Sequence, residues 1–334
     1  MTRKLASVRR ISDLLAIKDA DRIELAIVDG WQVIVKKGEF SVGDLAVYFE
    51  IDSWVPNSIA PFLTKGKEPR QFNGVPGERL RTVKMKGVLS QGLLLPIKEA
   101  QVYNHLLNEG DDLTEHLNIQ LYEKPLPAQL AGTAKGNFPS FIPKTDQERV
   151  QNIKRNLEKY ALNNYLWEVS EKLDGSSITV YIKDDIFGVC SRNLDLKETE
   201  ENTFWKTARK YNFEEKMRGF TGNFALQGEM VGPGIQGNSY NLSQVQFFLF
   251  DVFDIDQQQY LLPDMRIAIA KALDIPHVPV YCFAGTPTLE EALQMAEGKS
   301  VINPNVEREG FVLKSMTSDD SFKVISNLWL LGEK

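Results

Sequence analysis

The sequence predicts an α+β protein, with an amino-terminal β-barrel followed by a domain of antiparallel sheets with flanking helices. Three observations support this fold class. A chain of 334 residues that is 43% hydrophobic and 25% charged can form two domains with separate cores. Short strand patterns fill residues 20–97, whereas strand and helix patterns alternate after residue 144. The segment 121–143 is rich in Pro, Gly and Ala, as is typical of a linker. We therefore expect domains at 1–120 and 144–334.

Five strand patterns define the first domain. They cover residues 22–28, 31–36, 45–50, 79–85 and 93–97. Asp29-Gly30 is a typical tight turn between the first two strands. Five short strands with little helix predict a closed barrel of the OB-fold type. An apolar stripe predicts one helix over residues 98–118, with a stop or break at Gly110.

Basic residues surround the fourth strand pattern, namely Arg79, Arg81, Lys84 and Lys86. They could follow a nucleic-acid backbone, and a solvated outer face of the barrel explains them equally well. Residues 1–100 contain 16 Lys and Arg against 12 Asp and Glu, although the whole chain has a net charge of −6. This uneven distribution gives modest support to a phosphate-binding first domain.

The sequence contains no apolar run long enough to cross a bilayer and no apolar segment of a secretion signal after its basic start. We expect a soluble intracellular protein without a membrane partner. Cys190 and Cys282 both lie in apolar strand patterns, which predicts buried thiols in a reducing compartment. Only three histidines accompany them, so the composition does not favour a zinc site.

The stretch from Lys172 to Gly175 places an amine, a carboxylate and a flexible turn within four positions. Strand patterns at 165–170 and 178–182 flank it, so Lys172 is expected where a strand opens into a pocket. A lysine attacks phosphorus only as the neutral amine, and burial, a nearby cation or a metal must lower its pKa. The pattern K-x-D-G alone arises by chance in roughly one chain in ten of this length. A surface hairpin with a charged rim is therefore an equal interpretation of this stretch.

Charged residues also occur inside apolar strand patterns. Glu229 lies in the pattern 224–231, where a carboxylate is unfavourable unless it is paired or bound to metal. Glu309 begins another strand pattern. Lys323 lies within 321–325, where an anion is its expected partner and an ammonium reaching solvent is the alternative.

Two further motifs concern phosphate binding. Thr145 to Glu148 has the spacing of a capping box, which predicts a helix that starts at Asp146 and buries Val150, Ile153, Leu157 and Ala161. A helix amino terminus binds anions, so Lys144 and Arg149 are candidate phosphate ligands, although simple capping also explains them. The segment GPGIQG at 232–237 matches the dinucleotide fingerprint, but no amphipathic helix follows it. We reject a dinucleotide site there.

Six residues occur in an order that resembles the covalent nucleotidyltransferases, the superfamily of polynucleotide ligases and mRNA capping enzymes. They are Lys172, Arg192, Glu229, Phe250, Glu309 and Lys323. The stretches 90–96, 142–146 and 172–177 are similar to RNA ligases that carry an amino-terminal OB domain. The resemblance extends over nearly the whole chain, and it implies a nucleotidyltransferase domain at 144–334.

The resemblance implies a role for each residue. Lys172 is the nucleophile that takes AMP from ATP, and Asp174, Glu229 and Glu309 hold Mg²⁺ or Mn²⁺. The AMP then passes to a 5′-phosphate, and a 3′-hydroxyl displaces it to seal the strand, as in RNA repair at nicks by a monomer. The remaining implied contacts are those of Lys323 with the α-phosphate, of Arg192 with the nucleotide or the incoming end, of Phe250 or Phe248 with adenine, and of Lys144 and Arg149 with pyrophosphate.

The sequence departs from these relatives near its end. Many of them have two lysines spaced by one residue in the last motif, whereas Ile325 follows Lys323 here, which leaves Lys314 as an open candidate for the second charge. Few residues follow Lys323, so we do not expect the carboxy-terminal OB domain of DNA ligases. A ligase acting on DNA nicks and a non-catalytic OB-fold RNA-binding protein are the alternatives.

Overall fold

The computed structural model describes residues 3–100, 107–123 and 133–332. They divide into two compact units. The first unit comprises Met1–Lys124, Gln151–Lys154 and Leu330–Lys334, and the second comprises Pro125–Val150 and Arg155–Trp329. The boundaries 1–120, 121–143 and 144–334 stay a prediction. No helix in the described parts of the chain is long and apolar enough to cross a membrane.

Four antiparallel sheets form the first unit. Their orders are β1-β5-β11, β2-β3-β4, β9-β10 and β12-β6-β8-β7, and a 3₁₀ turn spans Pro61–Thr64. The strands are β1 (Ala6–Arg10), β2 (Asp13–Ala16), β3 (Ile23–Val28), β4 (Trp31–Lys36), β5 (Leu45–Phe49), β6 (Ser53–Pro56), β7 (Arg70–Phe72), β8 (Val75–Arg79), β9 (Thr82–Met85), β10 (Val88–Gln91), β11 (Leu93–Pro96) and β12 (Gln120–Leu121). Val8, Val47 and Phe49 are fully buried in the core between them.

Four of the five strand predictions for this unit are confirmed, and the turn at Asp29 has the expected positive φ of 49°. The single strand predicted over 79–85 is wrong. β8 ends at Arg79 and β9 begins at Thr82, because β8 pairs with β6 whereas β9 pairs with β10. The chain changes sheets between them.

The helix predicted over 98–118 is also wrong where the structure describes it. Residues 107–118 form turns, and residues 101–106 lie outside the described residues. The Asn108 N–H donates to Asp111 at 2.8 Å, and the Thr114 N–H donates to Asp112 at 3.0 Å. Such local bonds from Asp side chains to the backbone compete with helix formation.

Two sheets and several helices form the second unit. The seven-stranded sheet has the order β13-β18-β17-β16-β19-β20-β21, and the five-stranded sheet has the order β14-β24-β23-β15-β22. The strands are β13 (Ala134–Asn137), β14 (Glu148–Arg149), β15 (Leu166–Lys172), β16 (Ser176–Lys183), β17 (Ile186–Ser191), β18 (Leu194–Leu196), β19 (Phe224–Val231), β20 (Gln246–Asp254), β21 (Gln259–Tyr260), β22 (Val280–Gly285), β23 (Gly310–Ser315) and β24 (Ser321–Ile325). A 3₁₀ turn spans Val150–Ile153, and the α-helices are Lys154–Leu162, Thr203–Lys210, Phe213–Arg218, Pro263–Ala272, Leu289–Ala296 and Asn327–Gly332.

An apolar cluster covers one face of the seven-stranded sheet. Phe213 and Met217 from the short helices pack there with Phe247 and Leu249 of β20, and all four are fully buried. A second cluster brings Leu173, next to Lys172, against Phe248 and neighbouring apolar residues. The Lys172 turn is thus anchored by packing as well as by strand pairing.

The helix predicted to begin at Asp146 is wrong. Glu148–Arg149 instead form β14, which pairs in parallel with Phe322 and Lys323 of β24. This pairing with a distant strand overrides the local capping signal, so the helix begins only at Lys154. Its predicted inner face is partly confirmed, since Leu157 is buried but Ala161 is exposed.

The burial predicted for both cysteines is confirmed for only one of them. Cys190 is buried as predicted, but Cys282 is exposed, because β22 is an edge strand of its sheet. The segment 232–237 is followed by turns and not by a helix, which agrees with our rejection of a dinucleotide fingerprint.

Candidate active site

Lys172 is the last residue of β15, where it pairs with Gly310 of β23. Its Nζ donates a hydrogen bond of 2.7 Å to Oε1 of Glu309, the residue before that glycine. The Lys172 side chain is 28% exposed, and that of Glu309 is 10% exposed. The ammonium can therefore be reached from solvent although its main partner is buried.

A close approach to the neighbouring sheet shapes the turn after Lys172. A Cβ on Gly175 would lie 2.2 Å from the carbonyl oxygen of Met230 and 2.9 Å from Cγ of Glu229. Only glycine allows this contact. The glycine of the K-x-D-G stretch thus brings the turn against β19, the strand that carries Glu229.

The charges around Lys172 are unbalanced. Burial lowers the pKa of Lys172, but the negative charges of Glu309 and Glu229 outweigh burial, so its pKa is raised. Burial raises the pKa of Glu229 to about 8 despite the nearby Lys172. Burial likewise raises the pKa of Glu309 to about 7, and the charge of Asp174 adds to the effect. One ammonium therefore faces three carboxylates at short range.

The carboxylates fit a divalent cation. Oε2 of Glu309 is buried and has no hydrogen-bond partner among the described residues. Carboxylate oxygens are the ligands that Mg²⁺ and related cations prefer. No three His, Cys, Asp or Glu side chains within 3–100, 107–123 and 133–332 are already grouped as a metal site. Asp174, Glu229 and Glu309 could thus bind a cation after a rearrangement that moves the Lys172 ammonium off Glu309.

Asp146 links two of the predicted site residues. Lys323 Nζ donates a hydrogen bond of 2.7 Å to Asp146 Oδ1, and Arg192 Nη2 lies 3.9 Å from Asp146 Oδ2. Lys323 is 8% exposed, so the anion expected for this buried lysine is present. The charge of Lys323 also lowers the pKa of Glu309, the partner of Lys172, so both lysines act on the same carboxyl group.

Lys144 and Arg149 lie on the two sides of Asp146 in the chain. Lys144 is exposed, and its Nζ donates to Asn193 Oδ1 at 2.7 Å, next to Arg192. Arg149 is only 5% exposed and pairs with Lys323 in the β14–β24 register. Both basic residues thus lie beside the Asp146 cluster, although the predicted helix terminus does not exist.

The aromatic candidates differ in accessibility. The register of β19 and β20 shifts by one residue, so that Gly228 faces Leu249 and Gln227 faces Asp251. Phe250 is the extra residue of this β-bulge and is half-buried, whereas Phe248 is only 8% exposed. A bulge redirects side chains out of the regular alternation. Phe250 is therefore the better placed of the two to contact a ligand.

Lys314 does not have the surroundings of a second phosphate-binding lysine. Its Nζ forms an ion pair with Asp251 and donates to the Phe250 carbonyl oxygen at 2.6 Å. Burial lowers the pKa of Lys314 to about 8, although the charge of Asp251 opposes this. Lys314 thus fixes the backbone at the bulge.

Sequence reasoning did not identify Asp146, Ser239 or Tyr240 as site residues. Asp146 could have been suspected because it lies within the K-T-D junction, between two basic candidates. Ser239 and Tyr240 follow the glycine-rich segment 232–237, which we had examined only as a nucleotide fingerprint. They contact Asp174, as described below.

Comparisons with known proteins agree with this geometry. The family model described as RNA ligase matches residues 166–325, and an OB-fold domain family matches residues 5–97. The Naegleria gruberi RNA ligase is 44% identical to this chain. Its structure as a lysine-to-alanine variant with ATP and Mn has a TM-score of 0.91 and a coverage of 98% for both chains. The structure of the same enzyme with PPi is likewise 44% identical, with a TM-score of 0.91 and a coverage of 98% for both chains. No match was found among the curated proteins.

An OB-fold domain followed by a domain with a strand-end lysine facing buried carboxylates defines a covalent nucleotidyltransferase. The predicted α+β fold class is confirmed. At this identity and coverage, the chain belongs to the RNA ligase family.

Proposed function

We propose that this protein is an ATP-dependent RNA ligase that joins 3′-hydroxyl and 5′-phosphate RNA ends at nicks. The most direct support is the position of Lys172, whose Nζ lies 2.7 Å from Glu309 within a cluster of buried carboxylates. The related Naegleria gruberi enzyme was solved with ATP and Mn, which supports the same ligands here.

In the first step, Lys172 Nζ forms a bond to the α-phosphorus of ATP while the bond to pyrophosphate breaks. Pairing with Glu309 raises the pKa of Lys172 and so favours the protonated ammonium. Lys172 must lose this proton before it can attack phosphorus. A divalent cation held by Asp174, Glu229 and Glu309 would favour the neutral amine and offset the charge of the α-phosphate. The AMP then passes from Lys172 to the RNA 5′-phosphate, and the 3′-hydroxyl displaces it.

The cationic residues of the site bind and orient the phosphates. Lys323 would exchange Asp146 for the α-phosphate, since a buried ammonium requires an anionic partner. Arg192 would contact the nucleotide or the incoming RNA end. Lys144 and Arg149 would face the pyrophosphate, and the ring of Phe250 would stack on adenine.

A test of this function is labelling with α-labelled ATP and Mg²⁺ or Mn²⁺. We expect label that survives denaturation on the wild-type protein and on a Lys271→Ala control, in which an exposed helical lysine is removed. The Lys172→Ala protein should take up no label. A folded Lys172→Ala protein that labels normally would exclude this mechanism, and a wild type without label would favour the RNA-binding alternative.

The choice of RNA over DNA requires a separate comparison. Nicks with RNA or DNA on the 3′-hydroxyl side should be sealed side by side, with the 5′-phosphate strand unchanged. We expect faster sealing of the RNA nick. Equal rates would defeat the RNA assignment and favour a general nick ligase.

We further propose that the first unit binds RNA through the hairpin β9–β10. Arg81, Lys84 and Lys86 are exposed there, and Lys86 occupies the turn with a positive φ of 52°. Arg79 is less available, because it pairs with Asp52 at 2.6 Å. Exposed cations of this kind suit a phosphate backbone.

The RNA-binding hairpin can be tested by salt dependence. A Lys84→Gln, Lys86→Asn double variant should lower the slope of log affinity against log salt by about one to two, while label transfer from ATP remains. Asn tolerates the positive φ at position 86. The matched control is Lys65→Asn, Lys67→Gln, which removes two exposed lysines elsewhere in the unit, one of them also at a positive φ of 53°. Equal slopes for both double variants would contradict a role of the hairpin.

A monomeric, intracellular protein remains part of this proposal. Cys282 is an exposed free thiol and Cys190 is a buried one, which supports a reducing compartment.

A further inference from the structure

The glycine-rich loop 232–241 contacts the turn that follows Lys172. Ser239 Oγ donates a hydrogen bond of 2.8 Å to Asp174 Oδ2. The Asp174 main-chain N–H donates a hydrogen bond of 2.7 Å to the hydroxyl oxygen of Tyr240. Two neighbouring loop residues therefore hold both the backbone and the side chain of Asp174.

Tyr240 is itself fixed in place. It is 2% exposed and packs with Leu173 and Val278 in one apolar cluster. Its carbonyl oxygen accepts a hydrogen bond of 2.9 Å from Asn303 Nδ2. Because both its backbone and its ring are held, the Tyr240 hydroxyl offers the Asp174 amide an acceptor at a defined position.

The opposite side of the turn is closed by the glycine contact described above. Gly175 lies so near the Met230 carbonyl that the turn cannot move in that direction. The Tyr240 hydroxyl and β19 thus hold the turn between them. The held segment begins two residues after Lys172, which is itself paired with Gly310 at the end of β15, so the backbone is fixed on both sides of Leu173.

We propose that Tyr240 is a positioning residue that orients the Lys172 turn for transfer of AMP from ATP to the lysine. This inference rests on the proposed ligase function. The loop 232–241 contains the segment that we rejected as a dinucleotide fingerprint. In this proposal the loop fixes the backbone beside the nucleophile and does not bind phosphates directly.

The hydroxyl of Tyr240 remains a donor at neutral pH. Since the oxygen already accepts from the Asp174 amide, its own proton is available to a carboxylate or to a bound ligand. Replacement by Phe removes both properties and preserves the ring.

The test compares Tyr240→Phe with Tyr181→Phe. Tyr181 is another buried tyrosine with a polar contact at its hydroxyl. This hydroxyl lies 3.4 Å from the Asp195 carboxylate, and Tyr181 belongs to a different apolar cluster. In Tyr240→Phe, lysyl-AMP formation should slow by about 100-fold, whereas the KM for ATP should change less than about threefold. Misplacement of a reacting group affects the rate of reaction more than the binding of substrate. Tyr181→Phe should retain the wild-type rate.

A second measurement separates positioning from general damage. Sealing of RNA that already carries AMP on its 5′ end does not use Lys172 as a nucleophile, so Tyr240→Phe should slow it by less than about tenfold. Equal losses in both steps, or a wild-type rate of lysyl-AMP formation in Tyr240→Phe, would overturn the inference. A wild type that forms no lysyl-AMP would instead overturn the proposed function itself.

Discussion

Two lysines of the second unit lie on neighbouring strands, Lys172 partly exposed and Lys314 buried, and they have different surroundings. Lys172, at the end of β15, shares its surroundings with Glu309, Glu229 and Asp174. Lys314, in β23, forms an ion pair with Asp251 in a cluster that also contains Arg266 and Glu168. In the first cluster one ammonium acts on three carboxyl groups, and the charges of Lys323 and Arg192 also reach Glu309 and Glu229, whereas the second cluster pairs two cations with two anions.

Under the proposed function, this difference separates a reactive cluster from a structural one. In the balanced cluster each cation has a carboxylate partner, since Arg266 Nη2 donates to both Glu168 oxygens and Lys314 pairs with Asp251, although Arg266 Nη1 has no hydrogen-bond partner among the described residues. The unbalanced cluster contains a Glu309 oxygen without a hydrogen-bond partner in the described part of the chain, and burial, with the charge of Asp174 added, raises the pKa of Glu309. An excess of buried negative charge requires a proton or a cation, and the balanced cluster requires neither.

The same substitution at both lysines should give opposite results for catalysis. Lys172→Met should lower lysyl-AMP formation by at least about 1000-fold, because no other group can replace the nucleophile. Lys314→Met should lower it by less than about tenfold. The measurement is the rate of label transfer from ATP to folded protein. A comparable loss in Lys314→Met would show that its cluster also participates in the reaction.

For the free energy of unfolding, we expect the larger loss from a substitution in the balanced cluster. Glu168→Gln leaves the charge of Arg266 buried with a weaker partner, which should destabilise the protein by about 3–5 kcal/mol. Glu309→Gln removes repulsion within the unbalanced cluster and should change stability by less than about 1 kcal/mol, or increase it. Urea unfolding without nucleotide or metal measures both. An equal loss in the two variants would remove the distinction between the clusters.

The pH dependence of stability should contain a contribution from Lys314. Its pKa is lowered from 10.5 to about 8, so the folded protein releases this proton while the unfolded chain still holds it. The contribution of Lys314 to the free energy of unfolding therefore rises with pH between about 8 and 10.5, by on the order of 3 kcal/mol.

The wild-type and Lys314→Met proteins should be compared by urea unfolding across this range. The difference in the free energy of unfolding, wild type minus variant, should increase with pH. A constant difference would mean that Lys314 stays protonated in the folded protein, and the second cluster would then be more strongly paired than we infer.

The smallest expected effect concerns Phe250, the residue proposed to stack on adenine. Phe250→Leu should raise the KM for ATP by about tenfold, since stacking of a base on an aromatic ring is worth about 1–3 kcal/mol. Phe248→Leu is the matched control and should affect stability more than KM, because this ring is buried. If both variants leave KM unchanged, neither ring contacts the adenine.

The sequence predicted those parts of the fold and site that local patterns determine. The strand with Glu229 and the strand with Lys323 have the predicted bounds. The K-x-D-G stretch also placed Lys172 correctly at the end of a strand. Strand alternation and glycine turns are encoded within a few residues, and a single sequence suffices to detect them.

Contacts between distant segments could not be predicted in this way. Asp146 was interpreted as a helix start, yet it is the ion partner of Lys323. The helix Thr203–Lys210 was not predicted, although Asn202 caps it by accepting hydrogen bonds from two main-chain N–H groups. That capping signal was present in the sequence. The Asp146 contact has no local signature, because it depends on the parallel pairing of β14 with β24.

The long chain separations within the site have a consequence for folding kinetics. The bond from Lys172 to Glu309 joins residues 137 positions apart, and that from Lys323 to Asp146 joins residues 177 apart. Contacts of such high contact order form slowly, after local helices and hairpins. During refolding, helical signal should return first and the capacity to form lysyl-AMP last. Label uptake from ATP would thus time the final docking of strands.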